Sequence, residues 1–313
     1  MSSRAIGLDV GGTKIAAAVI DATGSVFARS SAETPADDAE ATVGAMIRLG
    51  RDLVTPDVGA VGVGAAGLVD RAGTLRFAPN LAWREVPLAE RLRGDLRLPC
   101  VVDNDANAAA WGEYCFGAAR GHPDALVVTV GTGIGGGIVS GGSVFRGAHG
   151  FAAEIGHLIV EPNGPLCGCG NRGCWEQVAS GHAIRRAARE AADRYPHSLV
   201  AILAGGDPAN VDGPLVTRAA RQGDKVAVGI LAEVGRRLGQ GLAGLVNVLD
   251  PEIVVVGGGV AEAGQLLLDP ARRAMRDAIE AADHRPEVPL VPAALGKDAG
   301  AVGAAALALG HLG

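Results

Sequence analysis

Three apolar runs in this chain end in clusters of small residues: "GLDVGGTK" (7–14), "VVTVGTGIGGG" (127–137) and "VVVGGGV" (254–260). A short apolar run closed by glycine reads as a buried strand, and glycine there permits tight turns and close approach of backbone to a ligand. In the first two cases another apolar run follows, "IAAAVID" (15–21) and "GIVSGG" (137–142), so a strand–turn–strand unit occurs twice. Repetition of a whole unit points to a duplicated design of two halves with a cleft between them. Between these units, "DDAEATVGAMIRLGRDLV" (37–54) and "VPLAERLRGDLRL" (86–98) carry helical spacing, "DVGAVGVGAAGLVD" (57–70) reads as a strand, and about 175–247 is mostly helical. "VPLVPAAL" (288–295) gives a last short strand and "DAGAVGAAALAL" (298–309) a closing helix. Alternating strands and helices define an α/β layered architecture with ligands at strand C-terminal ends. At 313 residues there is room for two domains, and with only 3% aromatics in 48% hydrophobic residues the core is built from Ala, Val, Leu and Ile.

The net charge of −6 and the mixing of basic with acidic residues, as in "RRAAREAADR" (185–194), describe solvated helix faces and argue against a nucleic-acid partner. No apolar leader and no stretch long enough to span lipid is found, so a cytoplasmic protein without membrane association is expected, with its thiols reduced.

In "DVGGTK" (9–14), Gly11 and Gly12 leave backbone N–H groups free to approach a phosphate, Thr13 adds a hydroxyl, and Asp9 could hold a metal-bound water; a plain hairpin turn is the alternative. "GTGIGGG" (131–137) matches G-x-G-x-x-G, but a dinucleotide site needs a helix straight after it, and the alternation beyond Gly137 is that of a strand. A phosphate-facing hairpin fits better. The glycines of "VVVGGGV" suit contact with a base or ribose, or simple close packing. In "VVDNDANAAAWGE" (101–113), Asp103, Asn104 and Asp105 fall where a strand gives way to a helix. An acid there can cap the helix, or serve as general base toward a hydroxyl attacking a phosphoryl group.

Three of five cysteines crowd into "CGCGNRGC" (167–174), giving His157-x9-Cys167-x-Cys169-x4-Cys174. One His and three Cys match a tetrahedral zinc site. A disulfide would leave an odd thiol, and a redox pair would need C-x-x-C. Cys100 and Cys115 read as buried free thiols.

Together these features resemble the ROK family (repressors, open reading frames and kinases) of the actin-like ATPase superfamily, over essentially the whole chain. The closest resemblance is to actinobacterial ROK glucokinases, through "NDANAAAWGEY" and "CGCG…GCWEQ". It implies two actin-like, ribonuclease H-like α/β domains: 1–117, with helix 299–313 packing back on it, and 118–298, bearing the zinc loop and oligomerisation helices. The implied activity is ATP-dependent phosphorylation of glucose at its 6-hydroxyl. Asp105 would be the base. Gly67, Asn80, Asn104, Asp105, Glu154, His157 and Glu176 would hold the sugar. Asp9, Gly11, Gly12, Thr13, Lys14, Gly131, Thr132 and Gly133 would serve the phosphates and Mg²⁺, with Lys14 equally able to face solvent. Gly257, Gly258 and Gly259 would back the adenosine. His157, Cys167, Cys169 and Cys174 would bind structural Zn²⁺, fixing His157 toward the sugar. A homodimer or homotetramer is expected. The alternatives are another hexose (N-acetylmannosamine, N-acetylglucosamine, fructose or mannose), polyphosphate as donor, or a sugar-responsive repressor. The last would need an N-terminal helix-turn-helix, for which a phosphate turn starting at Asp9 leaves no room.

Overall fold

The computed structural model describes residues 3–78, 82–310 and 312; Asn80 lies outside the described residues. The chain divides into two compact units, one of Met1–Val128, Gly136–Ala153 and Ala293–Gly313, the other of Thr129–Gly135 and Glu154–Pro292.

The first unit opens with β1 (Arg4–Val10), β2 (Lys14–Asp21) and β3 (Val26–Glu33), an antiparallel meander, then α1 (Ala39–Leu53) and β4 (Val58–Ala65). The short β5 (Leu68–Val69), β6 (Leu75–Phe77) and β7 (Arg84–Val86) form their own small sheet. Helix α2 (Leu88–Leu96), strand β8 (Cys100–Asn104) and helix α3 (Asp105–Phe116) follow. The main sheet has the order β3-β2-β1-β4-β8. Strands β1, β4 and β8 run parallel, with Asp9 opposite Gly64 and Ala65 opposite Asn104. Their C-terminal ends therefore share one end of the sheet, the place where such folds bind ligands.

Helix α1 starts at an Asp38 cap, whose side chain accepts from the Ala41 N–H. Its Val43, Met46 and Leu49 join Ile6, Leu8, Val61 and Val63 in a buried cluster on one face of the sheet. The opposite face is covered by the C-terminal helix, whose Ala301, Val302 and Ala305 pack with Ala5, Ala18 and Ala60. That helix lies at backbone contact. A Cβ on Gly62 would sit 1.7 Å from the Ala304 carbonyl oxygen, and one on Gly7 would sit 1.8 Å from that of Ala301.

Beyond α3 come β9 (Ala125–Val130), β10 (Ile134–Ser140) and β11 (Ser143–Val144), the unit boundary cutting through β9 and β10. The second unit continues with α4 (Trp175–Ala179), α5 (Gly181–Arg194), α6 (Leu199–Leu203), α7 (Gly213–Arg221) and the long α8 (Lys225–Leu249). It is completed by β12 (Ile253–Gly257), α9 (Gln265–Ala278) and β13 (Leu290–Pro292); α10 (Ala299–Leu309) closes the first unit. The second sheet has the order β11-β10-β9-β12-β13. As the alternation indicated, the segment after "GTGIGGG" is strand β10, so a dinucleotide turn is excluded. Cys100 is buried, whereas Cys115 is only half-buried, packed against the cluster that includes Ala5, Ala60 and Ala301. Among the described residues no helix is long and apolar enough to cross a membrane.

Candidate active site

In the first unit, the parallel register sets Asp9, Gly67, Asn104 and Asp105 at one end of the sheet. Gly11 closes the β1–β2 hairpin by donating its N–H to the Lys14 carbonyl at 3.0 Å. The Thr34 hydroxyl donates to the Gly11 carbonyl at 2.8 Å, and the Thr34 N–H donates to the Thr13 carbonyl at 3.1 Å. The carbonyls at Gly11 and Thr13 are thus occupied while Thr13 is exposed. Lys14 is also exposed, opposite Glu33 in the β2–β3 register.

The β8–α3 junction is built by its own polar residues. Asn104 caps α3, accepting from the N–H groups of Ala106 at 2.8 Å and Asn107 at 3.2 Å. Its amide nitrogen donates to the Gly67 carbonyl at 3.2 Å. Gly67 has φ +144°, and a Cβ would meet the Phe77 carbonyl oxygen at 2.4 Å, so this turn requires glycine. Beneath, the buried Asp103 accepts from the Asn104 N–H at 2.8 Å, the Asn107 amide at 2.9 Å and Arg146 Nε at 2.7 Å. Asp105, the first residue of α3, is half-buried at the head of that helix. Burial raises its pKa well above the carboxylate range, against the opposing hydrogen bonds of the helix N-terminus. Burial, followed by repulsion from Asp105, pushes Asp9 up to about 7. Two half-buried carboxyls whose charges repel are poised to take up protons or a cation.

In the second unit, the turn Gly131–Thr132–Gly133 is closed by the Gly131 N–H donating to the Gly133 carbonyl at 3.0 Å. The carbonyls of Gly131 and Thr132 are pinned from the other side. The Gly181 N–H donates to the first at 2.9 Å, and the His182 N–H (3.1 Å) and Ser180 hydroxyl (2.8 Å) donate to the second. Glu176 packs so tightly on this turn that a Cβ on Gly133 would fall 2.2 Å from its Oε2. Glu154 is exposed and precedes a single 3₁₀ turn, Ile155–His157, whose Gly156 abuts the Ile134 carbonyl. Its predecessor Ala153 has φ +70°, a left-handed conformation unfavourable for alanine. At the end of β12, Gly257 is buried. Gly258 has φ +86° and backs onto Val130, while no atom approaches within 4 Å of a Cβ on Gly259.

His157, Cys167, Cys169 and Cys174 converge, their ligand atoms all within 4.8 Å of one another. His157 Nδ1 lies 3.7 Å from Cys167 Sγ, and Cys169 Sγ lies 3.6 Å from Cys174 Sγ. Ligands at about 2.3 Å from a tetrahedral zinc stand about 3.7 Å apart, so the set fits that ion. The loop is braced by backbone bridges from Ile159 to Cys174 and from Leu166 to Arg172. The Trp175 ring N–H donates to the Arg237 carbonyl at 3.1 Å, tying the loop to α8. The Cys167 thiol donates to Glu176 Oε1 at 3.0 Å, joining the His–Cys₃ loop to the acid against the glycine turn.

Sequence reasoning singled out these turns and acids but missed Arg146, Ser180 and Ala153. Only Ser180 left a signal, as a serine directly before a helical run.

Parallel strands ending in an acid pair, glycine turns after buried strands and a His–Cys₃ loop define a two-domain, actin-like α/β protein. The chain belongs to the ROK family, whose profile matches residues 5–311. It is 46% identical over 311 residues to a glucokinase of Streptomyces coelicolor, covering 97% of this chain and 96% of that one. It is 39% identical over 310 residues to a glucokinase of Thermotoga maritima, covering 97% and 96%. Among solved structures, a ROK family glucokinase from Streptomyces griseus in complex with glucose and AMPPNP superposes with a TM-score of 0.90 at 47% identity, covering 99% of this chain and all of that one.

Proposed function

We propose that this protein is an ATP-dependent glucokinase that converts glucose to glucose 6-phosphate. The observation that carries the reading is Asp105, a carboxyl of raised pKa at the head of α3 beside Asp9, in a chain 46% identical to a glucokinase. A base with elevated proton affinity suits a hydroxyl nucleophile. Asp105 accepts the proton of the 6-hydroxyl as that oxygen bonds to the γ-phosphorus, while the bond to the bridging oxygen breaks and ADP leaves. Asn104 and the Gly67 turn orient the sugar from the first unit; Glu154, His157 and Glu176 serve its other hydroxyls. The N–H groups at Gly11–Thr13 and Gly131–Gly133 receive phosphate oxygens, and Gly257–Gly259 backs the adenosine. Asp9 and the phosphates would hold Mg²⁺, which offsets charge on the transferring phosphoryl group.

The His–Cys₃ set would hold a structural Zn²⁺, which rigidifies the loop it closes. With Nδ1 given to that set, the other nitrogen of His157 is left as the donor toward sugar. We further place the enzyme in the cytoplasm as a dimer or tetramer, to be read by light scattering. The test of function is a panel of hexoses with ATP and with polyphosphate. Glucose with ATP is expected to give the highest kcat/KM; preference for an N-acetylhexosamine or for polyphosphate would overturn it.

A further inference from the structure

A cavity of about 550 Å³ lies along β8, an edge strand of the first unit's main sheet; of the residues described at the candidate site, only Asp103 and Arg146 are in its wall. Its wall includes Cys100 and Asp103 of β8, Gly73 of the turn before β6, and three arginines from separate segments: Arg71, Arg93 of α2, and Arg146 after β11. The acids of the wall are already committed. Asp70 accepts from Arg76 Nε at 2.8 Å, and Asp103 accepts from Arg146 Nε at 2.7 Å. Arg71 is anchored by its hydrogen bond to the Gly147 carbonyl, and Arg146 also reaches the Val144 carbonyl at 3.4 Å. Each guanidinium has five N–H donors, so both keep unspent ones. Arg71 and Arg93 have no carboxylate partner among the described residues. Two unpaired cations, and a third held in place by a buried acid, line a space larger than a phosphorylated hexose needs. Planar forks of this kind favour tetrahedral oxyanions of double charge.

We propose that this cavity binds a phosphomonoester dianion, either inorganic phosphate or a sugar phosphate, through Arg71, Arg93 and Arg146. Its position gives it a route to the chemistry. The same Arg146 fixes Asp103, and Asp103 holds the N–H of Asn104 and the amide of Asn107 at the β8–α3 junction that presents Asp105. An anion drawing on Arg146 weakens that brace and lowers kcat. The binding site stands apart from the kinase reading; only this kinetic consequence rests on it, and binding is measured separately so the two can fail separately.

The test is calorimetric titration of the full-length protein, saturated with glucose and AMPPNP, with inorganic phosphate in one arm and glucose 6-phosphate in the other. One saturable site is expected in at least one arm. Arg93→Gln and Arg71→Gln should each weaken it about ten-fold, the loss of one charge-assisted contact, with uninhibited kcat and KM unchanged. Tighter binding of glucose 6-phosphate marks the sugar phosphate as the occupant, and equal binding marks phosphate alone. Absence of saturable binding in both arms, or binding that both variants leave intact, overturns the proposal.

Discussion

Gly62 offers a test of how the C-terminal helix supports the catalytic sheet. Its Cβ would lie 1.7 Å from the Ala304 carbonyl oxygen and 2.5 Å from the carbonyl carbon, where ordinary contact begins near 3.4 Å. Neither neighbour is a flexible side chain, so Gly62→Ala forces α10 off the sheet by more than about 1 Å. That also opens the contact at Gly7 and thins the cluster of Ala5, Ala60, Ala301 and Ala305. Overpacking a well-filled core typically costs 1–3 kcal/mol, and backbone-on-backbone contact puts this case at about 3 kcal/mol. With a urea dependence of about 2–3 kcal/mol per molar, the midpoint should fall by about 1 M. Trp83 and Trp111, both in the first unit, supply the fluorescence signal. The control is Gly94→Ala in α2, where nothing lies within 4 Å of the new methyl; there relief of backbone entropy should stabilise by about 0.5–1 kcal/mol. An unchanged midpoint for Gly62→Ala would refute the close docking of α10.

Three further expectations are direct. Glu113 is buried and accepts from the N–H groups of Ala118 (2.8 Å), Ala294 (3.1 Å) and Leu295 (2.8 Å), so Glu113→Ala should cost about 3 kcal/mol in urea unfolding; a cost within 0.5 kcal/mol would contradict the role. In metal-depleted protein at pH 7.5, iodoacetamide should label Cys169 first. Against the cost of burial, hydrogen bonds from the Asn171 backbone and the neighbouring thiols hold Cys169 low, whereas burial pushes Cys100 up to about 12 and Cys115 up to about 11. Peptide mapping reads this, and zinc reloading should protect Cys167, Cys169 and Cys174 while leaving Cys100 and Cys115 as before. Burial and then Asp105 raise Asp9 from 3.8 to about 7, so ionising it costs stability from about pH 4 upward, and the full cost is present above about pH 7. Metal-free Asp9→Asn should then exceed the parent in stability at pH 8, by at most about 4 kcal/mol, and converge with it below pH 4. Equal urea midpoints at pH 8 would contradict this.

What could be read in the sequence was what short-range pattern encodes. Apolar runs ending in glycine located β1, β9 and β12, and the strand-to-helix junction at Asp105 lay within one residue of its observed place. The His–Cys₃ spacing named four side chains that do converge. Long-range pairing was beyond reach. Asp103 and Arg146 stand 43 residues apart, and nothing local marks Arg146 as the partner of a buried acid. Glu113, within a motif read for its aspartate, turns out to be a staple to residues 181 and 182 positions away. Ser180 caps α5, a local role, but its hydroxyl also donates to the Thr132 carbonyl, a tertiary contact no local pattern encodes.

The central claim is that Asp105 removes the proton of the sugar hydroxyl during phosphoryl transfer from ATP. It is tested most directly by steady-state kinetics of Asp105→Asn with glucose and ATP, alongside calorimetric glucose binding. The account predicts a loss of about 10²–10⁴-fold in kcat, with the glucose dissociation constant changed by less than about three-fold. A variant that turns over within a few-fold of the parent would contradict it.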